Sequence, residues 1–224
     1  MSKTNTTTLA VISLSVLGLF FLLNDKDKSK DTKPSKYPPI PPPPSPSSSP
    51  TAFVKKYYPY AIDSEHATGV PALLTIAQAG IESAWGKFAF GNNFFGIKKG
   101  KGWNGAIQSL KTWECSPTND TLIKVYPAHS QGSNDSCNTM NKPSYRVSSE
   151  FRAYPTAKEG FIDHGNFLKT NKRYNKAFAY TKDPIQFARE IARAGYATAP
   201  NYESVLTSTI DTINKLMSHG GGTW

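Results

Sequence analysis

The sequence predicts an α+β domain, mostly helical with a small β-lobe set between its helices, carried behind a non-globular N-terminal stretch. Three observations predict it. Apolar residues recur at helical spacing between glycine and proline boundaries in 51–85 and again in 156–217. Between them, short runs of strand character at 106–110, 122–126 and 145–154 are separated by Gly, Pro, Asn and Ser. The first fifty of the 224 residues are unlike the rest, which leaves one domain of about 170 residues, large enough to bury a core without metals or staples.

Residues 1–8 are polar, and 9–23 (LAVISLSVLGLFFLL) form a mostly apolar run of 15 residues. That is short for a spanning helix, where about 20 are usual, and it also suits the apolar core of a secretory signal. No small-x-small cleavage site follows, because Asn24 opens a charged stretch. The expectation is therefore an uncleaved N-terminal membrane anchor over 1–24. Residues 25–50 end in PSKYPPIPPPPSPSSSP. Prolines without an amide donor make a semi-rigid spacer of about 3.1 Å per residue, so this segment reads as a tether or as a ligand for a proline-recognising domain.

The folded unit is expected over 51–218, with 219–224 as a flexible tail. Thr51 is a candidate cap for a first helix, Pro59 a kink within it and Gly69 its stop. Pro71 suits the first turn of a second helix, 72–85. On it Leu74, Ala77, Ile81 and Trp85 read as core, and Thr75, Gln78 and Glu82 fall three and four apart on an adjoining stripe. Glu82 thus lies at the border of the buried face, near the C-terminal end of its helix. Apolar neighbours and the negative end of the helix dipole both disfavour its charged form. A carboxyl kept protonated near neutral pH can donate a proton to a leaving oxygen; the bland reading is an exposed helix-end glutamate.

The next segment holds both cysteines, Cys115 and Cys137, which read either as a disulfide pinning a loop-rich lobe in an oxidising compartment or as two unrelated thiols. With His129 they make three ligand types without a recognisable zinc spacing, so no metal is expected. Thr156 and Glu159 make a capping box for a helix through Phe161, Ile162, His164, Phe167 and Leu168. Asp183 and Pro184 open another, ended by Gly195. A last helix runs from Asn201 or Tyr202 to Met217, with Val205, Leu206, Ile210, Ile213 and Leu216 inward.

The formal charge is +10; the first fifty residues hold six of the basic and three of the acidic side chains, which leaves the domain 20 against 13, or +7. Such a field favours polyanions, whether nucleic acid, anionic lipid or an acidic wall polymer. Nucleic acid is disfavoured by the lack of zinc-finger spacing, recognition-helix signature or RNA-binding aromatic motif.

Three motifs in one order, 78–86 (QAGIESAWG), 92–98 (NNFFGIK) and 195–202 (GYATAPNY), resemble glycoside hydrolase family 73, the peptidoglycan β-N-acetylglucosaminidases. The resemblance covers about 51–217. It implies a lysozyme-like fold in which a mostly helical lobe and a small β-lobe flank an open substrate groove, with no cofactor. It implies hydrolysis of the β-1,4 bond after N-acetylglucosamine, on peptidoglycan glycan strands at the wall side of the membrane, in the periplasm or the cell exterior. It places the general acid on Glu82 and a tyrosine near the catalytic centre on Tyr196. The family's groove-lining asparagine-aromatic loop falls on Asn93, Phe94 and Phe95, and Trp103 and Tyr202 are further candidates for substrate contact. The family's T-x-E element, whose glutamate is the proposed second catalytic group, matches Thr112, Trp113 and Glu114; Glu150 is the rival. A Cys115–Cys137 bridge would then anchor the catalytic end of a flap. The Asp that usually follows the family's GYAT element is Ala199 here. Two other readings stay open: a lytic transglycosylase on the same scaffold, and a non-catalytic wall-binding component of an envelope or a virion.

Overall fold

The computed structural model describes residues 49–115, 129–132, 143–197 and 199–219. The expected anchor, the proline-rich tether, the strand expected at 122–126, Cys137 and the glycine tail lie outside the described residues.

Helix α1 (Pro50–Thr68) is capped not by Thr51 but by Ser49, whose hydroxyl accepts from the Ala52 amide at 3.2 Å. Pro50 explains the shift: its ring fixes the φ of a first helical residue, and its missing amide hydrogen has no partner to lose there. The helix continues through Pro59 as one element and stops, as expected, at a left-handed Gly69 (φ 82°). Its inward face carries Phe53, Val54, Tyr57, Ala61, Ser64 and Thr68.

Helix α2 (Ala72–Glu82) is the axis of the molecule. Nearly every residue on it is buried, and α1 and both C-terminal helices pack against it. It is three residues shorter than its apolar pattern predicts. Ser83 ends it by donating its hydroxyl to Ala79 O and accepting the Gly86 amide at 2.8 Å. Ala84 and Trp85 then take positive φ (48° and 56°). This left-handed turn folds the Trp85 ring back onto Gly80, where a Cβ would sit 2.8 Å from it. The turn also makes Glu82 the last helical residue.

A three-stranded antiparallel sheet forms the second lobe in the order β1-β3-β2, with β1 Ile107–Cys115, β2 His129–Gly132 and β3 Ser144–Arg152. The β1–β3 ladder pairs Ile107 with Arg152, Thr112 with Val147 and Glu114 with Tyr145. β1 runs five residues past its expected end, because Thr112 and Trp113 suit a pleated surface. The loop after the aromatic motif seals the sheet to the helical body through an isolated bridge, Lys98 to Phe151, and an Arg152 amide bond to Ile97 O.

The chain then returns to helix. α3 (Ala157–Thr170) carries the expected capping box of Thr156 and Glu159. A 3-10 stretch (Lys172–Tyr180) follows that the sequence pattern did not announce. α4 (Pro184–Arg193) is capped by Asp183, and α5 (Tyr202–His219) closes the body. Phe53, Leu74, Ile76, Phe94, Phe95, Phe161, Phe187, Ile191 and Leu206 are all fully buried in one core. Among the described residues, no helix is long and apolar enough to cross a membrane.

Candidate active site

Glu82 stands where the helical body meets the sheet. It is only 6% exposed, and it lines a pocket with Phe88, Phe90 and Asn93 on one side and Gln108, Leu110 and Thr112 of β1 on the other. Burial pushes its carboxyl up to about 8, while a hydrogen bond from Tyr202 pulls in the other direction. The Tyr202 hydroxyl donates to Glu82 Oε1 at 3.2 Å, and the Gln78 amide nitrogen donates to that hydroxyl at 2.8 Å. A glutamic acid that keeps its proton near neutral pH, beside an open pocket, is equipped for proton donation.

Tyr202 was expected to touch substrate, but it is buried and serves Glu82 instead. Tyr196 was expected near the catalytic centre. It stacks on Tyr202 (5.7 Å between centroids, 16° between planes), and its hydroxyl meets His164 Nε2 at 3.3 Å inside the core. Burial first, and then the nearby Glu82 charge, hold its phenol well above the usual tyrosine range. His164 lies 3.8 Å from Phe95, ring on ring, and burial pushes its imidazole down to about 3, so it is neutral.

The aromatic loop corrects a second expectation. Phe94 and Phe95 are fully buried: Phe94 packs on Phe53, Tyr57 and Phe161, and Phe95 on Phe161 and His164. They hold up the groove from below and offer no face to a sugar. Gly96, directly after the two rings, takes φ 59°, a left-handed turn conformation that glycine adopts without strain. Asn93 does line the pocket, but its polar atoms brace the loop. Its Nδ2 donates to Ile97 O and Arg152 O, and its Oδ1 accepts from the Ile97 amide. Trp103 is held between Gly105 and the Arg152 guanidinium, 4.5 Å from the ring, with Nε1 donating to Ala106 O. It is a clamp at the lobe junction and no part of the pocket around Glu82. Phe88 and Phe90 line that pocket instead, from the same glycine-broken loop.

Glu114 shares its strand face with Gln108, Leu110 and Thr112, since side chains alternate along β1. The pocket lining stops at Thr112, one step short of it. Glu114 is buried and ion-paired with Lys98; burial raises its carboxyl and the lysine opposes the shift. Glu150 points to the opposite, solvent side of the sheet and pairs with Lys99 at 3.0 Å. Ala199, at the position of the family's aspartate, packs at the edge of the core. Sequence reasoning assigned no role to Gln78 or Lys98. The stripe of Thr75, Gln78 and Glu82 was the available signal for the first, and the lysine closing NNFFGIK for the second.

A helical body whose central helix ends on a buried glutamic acid, facing a small antiparallel sheet across a pocket, defines a lysozyme-like glycoside hydrolase. The chain belongs to the glucosaminidase family, described as mannosyl-glycoprotein endo-beta-N-acetylglucosaminidase, whose model matches residues 58–215. It is similar to the peptidoglycan hydrolase FlgJ of Pseudomonas aeruginosa, with 30% identity over 172 residues, 74% of this chain and 37% of that protein. To FlgJ of Vibrio cholerae it is 32% identical over 179 residues, 76% of this chain and 46% of that protein. The chain thus spans less than half the length of these relatives. Among solved structures, the glycoside hydrolase domain of Salmonella typhimurium FlgJ aligns with a TM-score of 0.56 at 25% identity, over 76% of this chain and 91% of that one. A peptidoglycan hydrolase mutant from Sphingomonas sp. A1 aligns with a TM-score of 0.54 at 28% identity, covering 75% and 99%.

Proposed function

We propose that the protein hydrolyses peptidoglycan glycan strands at the β-1,4 bond after N-acetylglucosamine, with Glu82 as general acid. The observation that carries this reading is the Glu82 carboxyl, buried at the end of α2, raised to about 8 and lining the pocket between the lobes. It donates its proton to the glycosidic oxygen as the bond to the anomeric carbon breaks and positive charge develops there. Glu114 is the second carboxylate, which steadies that charge or activates water once substrate draws the end of β1 over the groove. Lys98 holds it in reserve in the free protein. Tyr202 orients the acid and Tyr196 supports Tyr202 from behind. The relatives named as peptidoglycan hydrolases support the substrate.

The architecture around this domain belongs to the same proposal. An N-terminal anchor in 1–24 and the proline- and serine-rich tether behind it, rising about 3.1 Å per residue where it is polyproline, would hold the domain against the wall in the periplasm or cell exterior, or on a virion. A Cys115–Cys137 disulfide would close the flap that follows Glu114. The Lys98–Glu114 pairing also favours a second reading, in which the substrate's own acetamido group or a transglycosylase route takes over the work of a second carboxylate.

Mass spectrometry of muropeptides released by the purified chain separates these. New N-acetylglucosamine reducing ends support the hydrolase, whereas 1,6-anhydromuramic ends overturn it in favour of a transglycosylase. Glu82→Gln should abolish release; unchanged release by that variant rules out this site as the catalyst.

A further inference from the structure

Gln78 sits one turn before Glu82 on α2, fully buried, and its Nε2 donates to the Tyr202 hydroxyl at 2.8 Å. Its Oε1 is buried without a partner. A phenol has one proton and two lone pairs. With a lone pair engaged by Gln78, the Tyr202 proton is directed to Glu82 Oε1 at 3.2 Å. The carbonyl oxygen of a protonated carboxyl is the stronger acceptor, so a bond to Oε1 favours the acid proton on the other oxygen. Among the described residues Glu82 Oε2 has no hydrogen-bond partner, and Glu82 lines the pocket. The geometry points to Gln78 as a positioning residue: acting through Tyr202, it keeps the transferable proton of Glu82 on Oε2, the oxygen left open for the substrate.

The unpartnered Oε1 of Gln78 supports this assignment. Turning the amide over would satisfy that oxygen with the phenolic proton but leave Nε2 without a partner. A buried orphan N–H is rarer and costlier than a buried orphan carbonyl. The turned amide would also take the phenolic proton away from Glu82, so that the acid proton would have to lie on Oε1, facing Tyr202 and away from substrate. The polar groups around Glu82 are Gln78 from its own helix, Tyr202 from α5 with Tyr196 beside it, and across the pocket Asn93, Gln108 and Thr112, with the exposed Lys111 of β1 at its lining. Of these, only Tyr202 hydrogen-bonds to the carboxyl.

The inference rests on Glu82 being the acid. The full chain and three variants, Gln78→Met, Tyr202→Phe and the double variant, are compared on purified peptidoglycan for kcat, KM and pH profile. Gln78→Met is expected to lower kcat about tenfold, a part of the 10²- to 10⁴-fold that general acid catalysis contributes, with KM unchanged. Because the Tyr202 bond favours the carboxylate, weakening it moves the alkaline limb to higher pH. Tyr202→Phe should do the same more strongly, and the double variant should be no worse than Tyr202→Phe alone, since the two residues act in series. Losses that multiply, or a Gln78→Met protein with the native kcat and alkaline limb, overturn the inference. Should Gln78→Met not fold, Gln78→Glu carries the test: as a neutral acid it still donates to Tyr202, so activity should be retained at pH 5 and fall more steeply than native as pH rises. An equal loss at every pH overturns the inference. Activity surviving in Glu82→Gln sinks the catalytic reading itself, which none of these outcomes does.

Discussion

Glu82 is the residue on which both stability and the proposed chemistry turn, and they pull in opposite directions. Its folded carboxyl titrates at about 8 against 4.5 for the ordinary group. Between those values the folded state binds a proton that the unfolded chain does not, so stability falls as pH rises through this window and levels off above it. At 1.36 kcal/mol per pKa unit the burden reaches on the order of 4 kcal/mol by pH 8. Glu82→Gln removes the charge while keeping the shape, so it should stabilise the protein little near pH 4.5 and by several kcal/mol at pH 8. Urea melts of both proteins across that range check it; an equal effect at both ends would mean the carboxyl is not buried as described. Under the proposed reaction the same titration limits activity. The alkaline limb of kcat/KM should fall near pH 8 in a one-proton step, provided Glu82 acts in its acid form. That Glu82 lies at a buried border was legible from the spacing of α2. Its partner was not, because Tyr202 is 120 residues away in sequence and only the packing of α2 against α5 brings them together.

At the scale of elements, capping signals and periodicity predicted four of the five helices closely, and they failed where side-chain geometry overrode periodicity. α2 reads as continuing to Trp85, yet the Ser83 hydroxyl bonds and two positive φ angles end it at Glu82. The buried status of Phe94 and Phe95 was hidden for a related reason. An aromatic pair in a glycine-broken loop looks the same on a string whether it faces sugar or core, and Phe161 and His164, which receive the rings, belong to α3. The α1–α3 crossing depends on small residues. Ser64 donates to Phe161 O at 2.9 Å and Thr68 to Ser64 O at 2.7 Å, and a Cβ on Gly165 would lie 2.5 Å from the Thr68 hydroxyl and 2.7 Å from that of Ser64. Gly165→Ala gains helix propensity but must push the helices apart or break those bonds. A net loss of about 1–3 kcal/mol is expected from overpacking, which for a domain of this size lowers Tm by roughly 2–4 °C per kcal/mol. A calorimetric melt showing a rise in Tm would mean that the crossing gives way more easily than its polar seam indicates.

For the whole molecule, the proposed function requires that the sheet stay registered over the end of α2, and ties between the two lobes hold it there. The Lys98 backbone bridges to Phe151, its side chain reaches Glu114, and Arg152 joins the end of β3 to Asp163 of α3 at 2.8 Å. Lys98 is the tie that touches both structure and proposed chemistry, since Glu114 is buried and the lysine is the cation that offsets its desolvation. Lys98→Met leaves that carboxyl without its counter-charge. The Glu114 carboxyl then moves further above the ordinary range, because the Lys98 influence that lowered it is gone and desolvation remains. Breaking a buried pair from one side costs about 3–5 kcal/mol; with the lysine side chain 22% exposed, solvent reduces this, and about 1–2 kcal/mol is expected at pH 8. A carboxyl raised in the folded state is a cost that grows with pH, so the loss should shrink as pH falls. The same substitution separates the two catalytic readings. If Glu114 must be ionised to activate water or steady positive charge, the acid limb of the Lys98→Met profile moves to higher pH. If the substrate's acetamido group does that work, the acid limb stays where it is in the native protein, and Glu114→Gln retains most of the native rate. A pH profile of the native chain beside these two variants decides between them. An unmoved limb combined with an inactive Glu114→Gln would contradict both readings and assign Glu114 to structure alone.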